Sequence, residues 1–288
     1  RERHKFGHRN QGREKRGQIE PKHQAMSDNA THMMTFWEHL EVFRKLLFRV
    51  LAIIMTVAVV VFCFKEPLFK IILAPSYPDF VLYNIVEQVA AALGLDASGI
   101  SNFNIELFSS TLTSQFMIHL KIAFYAGLIV AMPYVLYELY TFVSPALREN
   151  EKKYTTGIVL WSYILFMMGI LLNYFVIFPL AFRFLGTYQV SGDVPNIITL
   201  ASYTDMLTTL TLLMGILFEL PILSWFLAKL GMINANFMKQ YRRHAFVAIL
   251  VVGAIITPTT DIFTLLLVAA PIYLLYELSI GIVRRTAK

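Results

Sequence analysis

The sequence predicts an all-α, polytopic membrane protein with six transmembrane helices, and three observations carry that reading. The chain is too apolar for a water-soluble domain: 57% of its 288 residues are hydrophobic and 15% charged, with a mean hydropathy of +0.58, whereas soluble domains carry roughly 25% charged residues. Six apolar runs stand out, at about 46–64, 116–139, 157–182, 206–228, 245–256 and 262–283. A span needs about 20 residues, and the first four runs satisfy that easily. The links between runs also alternate in charge. Cations fill 1–49 (eleven Lys/Arg), the second link (Arg148, Lys152, Lys153), the fourth (Lys229, Lys239, Arg242, Arg243) and the C-terminus (Arg284, Arg285, Lys288). The alternate links are poor in them: 184–205 has no Lys or Arg, and 65–115 has Lys65 and Lys70 against five acids. The positive-inside rule then predicts both termini in the cytoplasm.

Taken in chain order, residues 1–33 read as a disordered basic tail. Residues 1–30 lack the apolar core that a signal peptide needs. Residues 1–25 are either part of that tail or sequence ahead of a start at Met26. His4, His8, His23 and His32 read as solvated side chains, and the Asn29-Ala-Thr31 sequon falls on the cytoplasmic side, where glycosylation is not expected. Residues 34–288 constitute the six-helix membrane domain.

Residues 35–47 predict an amphipathic helix leading into the first span. Thr35 with Glu38 forms a capping box, and Phe36, Leu40, Phe43 and Leu47 make an apolar stripe for the interface. Trp37 fits an interfacial anchor, and Glu41 with Lys45 a surface pair. The single cysteine, Cys63, lies in the first run, so no disulfide framework or cysteine metal site is expected. The loop 65–115 is too long to lack structure, and its apolar stretch 80–95 predicts an amphipathic helix across the outer face. In the second link Pro145 breaks the helix that leaves span two, and 148–153 begins the next. Glu149 and Glu151 are the only acids of that link, so a basic ligand reaching this cation-rich face is attracted only there and at Glu38 and Glu41.

The fourth run holds the most informative residue, Glu219, in the middle of an apolar stretch from Leu210 to Leu227. A carboxyl group at that depth costs about 2.5–3.5 kcal/mol on insertion scales and marks function by default. Pro221 loosens the helix at the same level. The fifth run has about 12 residues and the sixth about 15 before Glu277, so both read as short helices of one hairpin. His119, Lys121, Arg183, Asp205, Asp261 and Glu277 lie near predicted membrane edges, where snorkelling accommodates most of them; Lys121 is deeper. No Gly-x-Ser-x-Gly, His-Glu-x-x-His or phosphate-loop motif occurs. His119 and His244 are the only candidate haem ligands and lie near the edges. The chain therefore predicts no enzyme, cofactor or metal, and cations placed beside membrane spans do not point to nucleic acid.

The order of motifs from His39 to Glu277 closely resembles the TatC family, the six-helix receptor subunit of the twin-arginine protein translocase. The residues that carry the resemblance are His39-Leu40, Arg44-Lys45 and Leu47; Ala74-Pro75; Pro133; Phe142-Val-Ser-Pro-Ala-Leu147 with Glu151; and Tyr174-Phe-Val-Ile-Phe-Pro-Leu-Ala-Phe182. Ala201-Ser-Tyr203, Phe218-Glu-Leu-Pro221, Thr257-Pro258 with Asp261, and Pro271 with Glu277 complete the set. The resemblance implies a concave, glove-like bundle in a bacterial inner membrane. Its ligands would be twin-arginine signal peptides of folded cargo, and its partners single-span TatA- and TatB-type subunits and further copies of itself. Transport would draw on the protonmotive force. The resemblance assigns Glu38, Glu41, Arg44, Leu47, Phe142 and Glu151 to signal binding, and Glu219, Pro221, Thr257 and Asp261 to intramembrane partner contacts.

Two positions depart from the family pattern. Val42 stands where the family has a glutamate, and Glu38, one turn earlier on the same face, is the substitute carboxylate. Leu265 stands where the family often has a polar residue. For Glu219 the expected partner is a polar residue toward the outer end of a partner's transmembrane helix, or else a hydroxyl of this chain such as Thr208 or Thr209. Two other classes compete. A secondary transporter of a small solute also explains Glu219 with Pro221, but it predicts a second, repeated half, and nothing repeats Phe218-Glu-Leu-Pro221. A membrane-embedded enzyme needs a nucleophile–base or metal set, and none is found.

Overall fold

The computed structural model of the chain describes residues 36–94, 103, 105–143, 155–189, 191, 196–257 and 261–286. The chain divides into two compact units, Arg1–Lys45 and Leu46–Lys288. In the first, the described residues form the opening turns of helix α1 (Phe36–Phe62), where Lys45 lies 2.9 Å from Glu41 and both are more than half exposed. The amphipathic lead-in and the first span are thus one helix.

The second unit begins with the rest of α1, followed by α2 (Lys65–Leu73), a 3-10 turn (Ala74–Ser76) and α3 (Val81–Ala92). α3 is the amphipathic helix expected from 80–95. Three tyrosine hydroxyls fasten this segment to the bundle: Tyr174 donates to Ile71 O (2.7 Å), Tyr203 to Ile72 O (2.8 Å), and Tyr83 lies 3.1 Å from both Pro75 O and Pro179 O. Burial pushes the Tyr83 hydroxyl well above the usual phenol range, which keeps it a neutral donor. A two-residue parallel pairing of β1 (Leu107–Phe108) with β2 (Ile198–Thr199) adds a small non-helical element to the described all-α residues.

The remaining helices are α4 (Ser114–Val143), α5 (Thr155–Leu172), α6 (Phe178–Thr187), α7 (Leu200–Leu217), α8 (Leu220–Lys229), α9 (Ala235–Gln240), α10 (Arg242–Ile256) and α11 (Ile262–Thr286). Two prolines explain two of the breaks. Pro179 cannot donate to the carbonyl one turn back, and α5 passes into α6 through a π turn, Asn173–Ile177. Pro221 leaves Leu217 O without its helical donor, so α7 ends and Glu219 N–H bonds to Ile216 O instead (3.0 Å). Side-chain caps start other helices: Thr199 accepts from Ser202 N–H (3.1 Å), Asn234 from Phe237 N–H (2.7 Å) and Asp261 from Thr264 N–H (2.7 Å).

Among the described residues, five helical stretches are long and apolar enough to cross a membrane: Leu40–Phe62, Ser114–Phe142, Thr156–Thr187, Leu200–Lys229 and Ile262–Thr286. The sixth, α10, has 15 residues and so rises only about 22 Å, against a hydrocarbon thickness of about 30 Å. The expectation of two short helices holds for α10 and is corrected for α11, which runs 25 residues. Glu277 does not end α11, because its carboxylate pairs with Arg242 of α10 at 2.6 Å and so does not need to leave the helix for water.

Close crossings fix the bundle. A Cβ on Gly127 of α4 would lie 2.8 Å from the Ala58 backbone, one on Gly169 of α5 2.5 Å from Met214 O, and one on Gly215 of α7 2.6 Å from the Phe166 ring. In lipid, helices associate through such small-residue approaches rather than through a hydrophobic drive. The main core lies around Phe178, Phe182, Tyr203, Leu210, Met214, Val268 and Ile272, with Tyr203 edge-on to both phenylalanine rings. A second cluster joins Met132 and Leu136 of α4 to Phe166 and Ile170 of α5.

Gly169→Ala is expected to cost about 1–3 kcal/mol, since its methyl meets a backbone carbonyl that cannot move aside. Gly281→Ala in α11, where a Cβ meets nothing within 4 Å, should be neutral or mildly stabilising. Thermal unfolding of the two purified variants in detergent checks the contrast.

Candidate functional site

The site is built on the face where α5 and α7 run antiparallel. Along α5 and its π turn, Ser162, Phe166, Gly169 and Asn173 recur at four, three and four residues, which puts them on one stripe. Each meets a residue of α7 or of the junction that follows it. Ser162 Oγ donates to Glu219 Oε2, Phe166 packs on Gly215, Gly169 meets Met214 and Phe218, and Asn173 Nδ2 donates to Thr211 Oγ1 at 2.9 Å. A polar pair closes each end of an otherwise apolar seam.

Glu219 lies at the junction of α7 and α8, where Pro221 breaks the helix. Its carboxylate opens on an apolar cleft of about 250 Å³ walled by Leu136, Leu139 and Tyr140 of α4, Ser162 of α5, and Ile222, Leu223 and Phe226 of α8. Oε2 is held by Ser162, while Oε1 is buried and has no hydrogen-bond partner among the described residues. The internal hydroxyl is therefore Ser162, not Thr208, which donates to Thr204 O at 2.7 Å. Thr208 lies in α7, 11 residues before Glu219, and its hydroxyl is taken by the helix's own backbone. Glu219 is 19 residues from Leu200 and 10 from Lys229, so it belongs to the half of the span that ends at Lys229.

Other carboxylates near the spans are paired. Glu138 in α4 accepts from Tyr134 OH at 2.5 Å and lies 3.6 Å from Arg49 of α1, with its side chain only 11% exposed. Lys121 reaches Asp205 at 2.6 Å, linking α4 to α7. His119 stacks on Phe62 (centroids 4.1 Å apart) and meets the Phe69 ring edge-on.

Of the signal-binding residues read from the sequence, Glu41 pairs with Lys45, Arg44 is exposed, Leu47 is half exposed and Phe142 lies in the last turn of α4. Glu151 and the side chain of Glu38 lie outside the described residues. Thr257 and Asp261 stand at the facing ends of α10 and α11: the Thr257 side chain is buried, and Asp261 caps α11. The structure puts Glu219 on the cleft with Pro221 two residues on, and Thr257 and Asp261 at the facing ends of α10 and α11. Sequence reasoning missed Ser162, Asn173 and Glu138. The signal for the first two was the small-and-polar stripe inside an apolar run, and for Glu138 a lone acid ending the second run.

With this geometry, the comparisons define the class: a multi-pass helical subunit of a protein translocase. Residues 38–271 match the family described as Sec-independent protein translocase protein (TatC). The translocase protein TatC of a Blattabacterium is 34% identical over 257 residues, covering 88% of this chain and 96% of that one. The TatC of Koribacter versatilis is 35% identical, covering 89% and 88%. The crystal structure of a twin-arginine translocase receptor TatC superposes with a TM-score of 0.69 at 29% identity, covering 87% of this chain and all of that one. This chain belongs to the TatC family. It is a protein-translocase subunit rather than an enzyme, and that membership replaces the small-solute transporter reading.

Removing the one internal donor should leave both oxygens of Glu219 without a protein partner. Ser162→Ala is expected to lower stability by about 1–2 kcal/mol, and Ser162→Thr, which keeps the hydroxyl, by clearly less. Chemical or thermal unfolding in neutral detergent is the check.

Proposed function

We propose that this chain receives twin-arginine signal peptides at its cytoplasmic face and recruits single-span partner subunits within the bilayer of a bacterial inner membrane, so that folded cargo is exported at the expense of the protonmotive force. The observation that carries the reading is Glu219: a carboxyl group inside a span and beside an apolar cleft, held on one oxygen by Ser162 and buried on the other with no hydrogen-bond partner among the described residues. A protonated Glu donates one hydrogen bond and accepts another, so a Gln or Ser on a partner helix completes it without burying net charge. Charge distribution puts Lys229 at the cytoplasmic end. The partner's polar residue therefore belongs in the cytoplasmic half of the bilayer rather than toward the outer end. Thr257 and Asp261, at the far end of α10, supply a second polar contact. Both termini lie in the cytoplasm on this reading, and copies of the chain associate within the receptor complex.

Signal recognition falls to Glu151 with Glu38 or Glu41, because two guanidinium groups call for carboxylates in planar, two-bond geometry. Glu41 is already engaged by Lys45, which favours Glu38. Arg44, Leu47 and Phe142 complete the surface.

Two experiments separate these roles. Glu219→Ala is expected to weaken partner assembly and export by tenfold or more, on the order of 1.4 kcal/mol, while signal-peptide binding stays intact; Glu219→Gln should be much milder. Lost peptide binding with preserved assembly would move Glu219 into recognition. Glu151→Ala combined with Glu38→Ala should abolish binding of a twin-arginine peptide relative to a twin-lysine control, and Val42→Glu should strengthen it. Unchanged binding in the double variant sinks the recognition assignment.

A further inference from the structure

The cations around α9 and α10 are not all accounted for by the protein. Residues 229–244 contain Lys229, Lys239, Arg242, Arg243 and no acid. Arg242 is neutralised by Glu277 at 2.6 Å. Lys239 and Arg243 are exposed and make no ion pair among the described residues. They are four residues apart across a junction that stays nearly helical: Tyr241 N–H bonds to Phe237 O (3.1 Å) and Ala245 N–H to Tyr241 O (2.9 Å). Their side chains therefore rise from one ridge, with Cβ atoms about 5–6 Å apart.

Three further observations set the depth and the sign of what meets that ridge. α10 rises only about 22 Å, so its first turn cannot stand clear of a bilayer that its outer end must also reach. Arg242 and Arg243 occupy that first turn, where the helix dipole disfavours cations; they do not serve helix stability. At the same level, Phe237, Tyr241 and His244 form an exposed ridge of rings, with centroid distances of 4.6 and 5.4 Å. An aromatic ridge at a helix end is the mark of the headgroup layer. The two ridges leave the helix on different flanks, so the aromatic one fixes the depth and the cationic one meets the ligand.

We propose that Lys239 and Arg243 form a binding site for the phosphate of an anionic phospholipid in the leaflet that faces α9, with Phe237 and Tyr241 anchoring the helix at headgroup depth. An anion supplied by the bilayer suits this place better than an acidic protein segment, because the site lies within the membrane interface, and basic surfaces between or beside membrane helices recruit such headgroups.

The test uses the full chain in neutral detergent, with phosphatidylglycerol titrated against phosphatidylcholine and bound lipid counted by native mass spectrometry. The wild-type chain should retain one phosphatidylglycerol in preference to phosphatidylcholine. Lys239→Gln and Arg243→Gln should each weaken that binding about fivefold and together about thirtyfold, with an unchanged unfolding temperature. If the double variant does not fold, the single variants carry the same comparison. Lys239→Arg with Arg243→Lys should keep the lipid, and Arg284→Gln with Arg285→Gln, in the last turn of α11, should leave it within about twofold of wild type. The proposal is overturned by unaltered retention in the Lys239 and Arg243 variants, or by an equal loss in the Arg284 and Arg285 variant. Displacement of the lipid by millimolar inorganic phosphate would make this a free-phosphate site, and displacement by an acidic peptide a protein-docking surface; either overturns it.

Discussion

The close approach of α5 and α7 at Gly169 and Gly215 is the constraint on which the rest of the bundle depends. With no side chain at either position, Met214 O and the Phe166 ring come within distances that any Cβ would forbid. That approach sets the register of the two helices, and register is what pairs Ser162 with Glu219 and Asn173 with Thr211. A shift of one residue on either helix turns each polar group about 100° away from its partner. In lipid the displaced groups would find no water to replace the lost bond. Packing and polarity therefore enforce each other, and neither would specify the seam alone.

Prolines place the breaks, and polar groups repair what the breaks expose. Pro179 lies just beyond the π turn, and its own carbonyl accepts from Tyr83, which ties α3 to α6. Pro221, two residues past Glu219, ends α7 at Leu217, so the carboxylate projects from an irregular turn rather than from the flank of a straight helix. Irregular backbone at membrane depth is tolerated only where protein or a cavity surrounds it. The cleft between α4, α5 and α8 is such a place.

Much of this was legible in the sequence. Run length and alternating link charge predicted the spans, and Pro221 and the apolar stretch 80–95 predicted local features that the structure shows; the helix break at Pro145 and the capping box of Thr35 with Glu38 lie outside the described residues. Glu219 stood out because a carboxyl group in an apolar run is costly wherever it ends up. Its partner did not, because helix–helix register is a tertiary property: Thr208 was as plausible a donor as Ser162 until Gly169 and Gly215 fixed which faces meet. α11 was misjudged for a related reason. Counting apolar residues stops at Glu277, whereas the helix continues because Arg242, 35 positions away, removes the cost of that charge.

The same reasoning separates polar groups that hold the fold from those left for something else. Glu138, Asp205 and Glu277 each meet a cation of another helix and a carboxylate in such a pair has no further need of a partner. Glu219 differs in kind. Among the described residues its only donor is a serine hydroxyl and its second oxygen is buried without one, and the walls of its cleft are apolar apart from Tyr140 and Ser162. A buried acceptor left in that state costs about 1–3 kcal/mol. Retaining the carboxylate is economical only if its second bond is made to a group from outside the chain. That asymmetry, rather than burial alone, is the physical ground for assigning Glu219 to assembly.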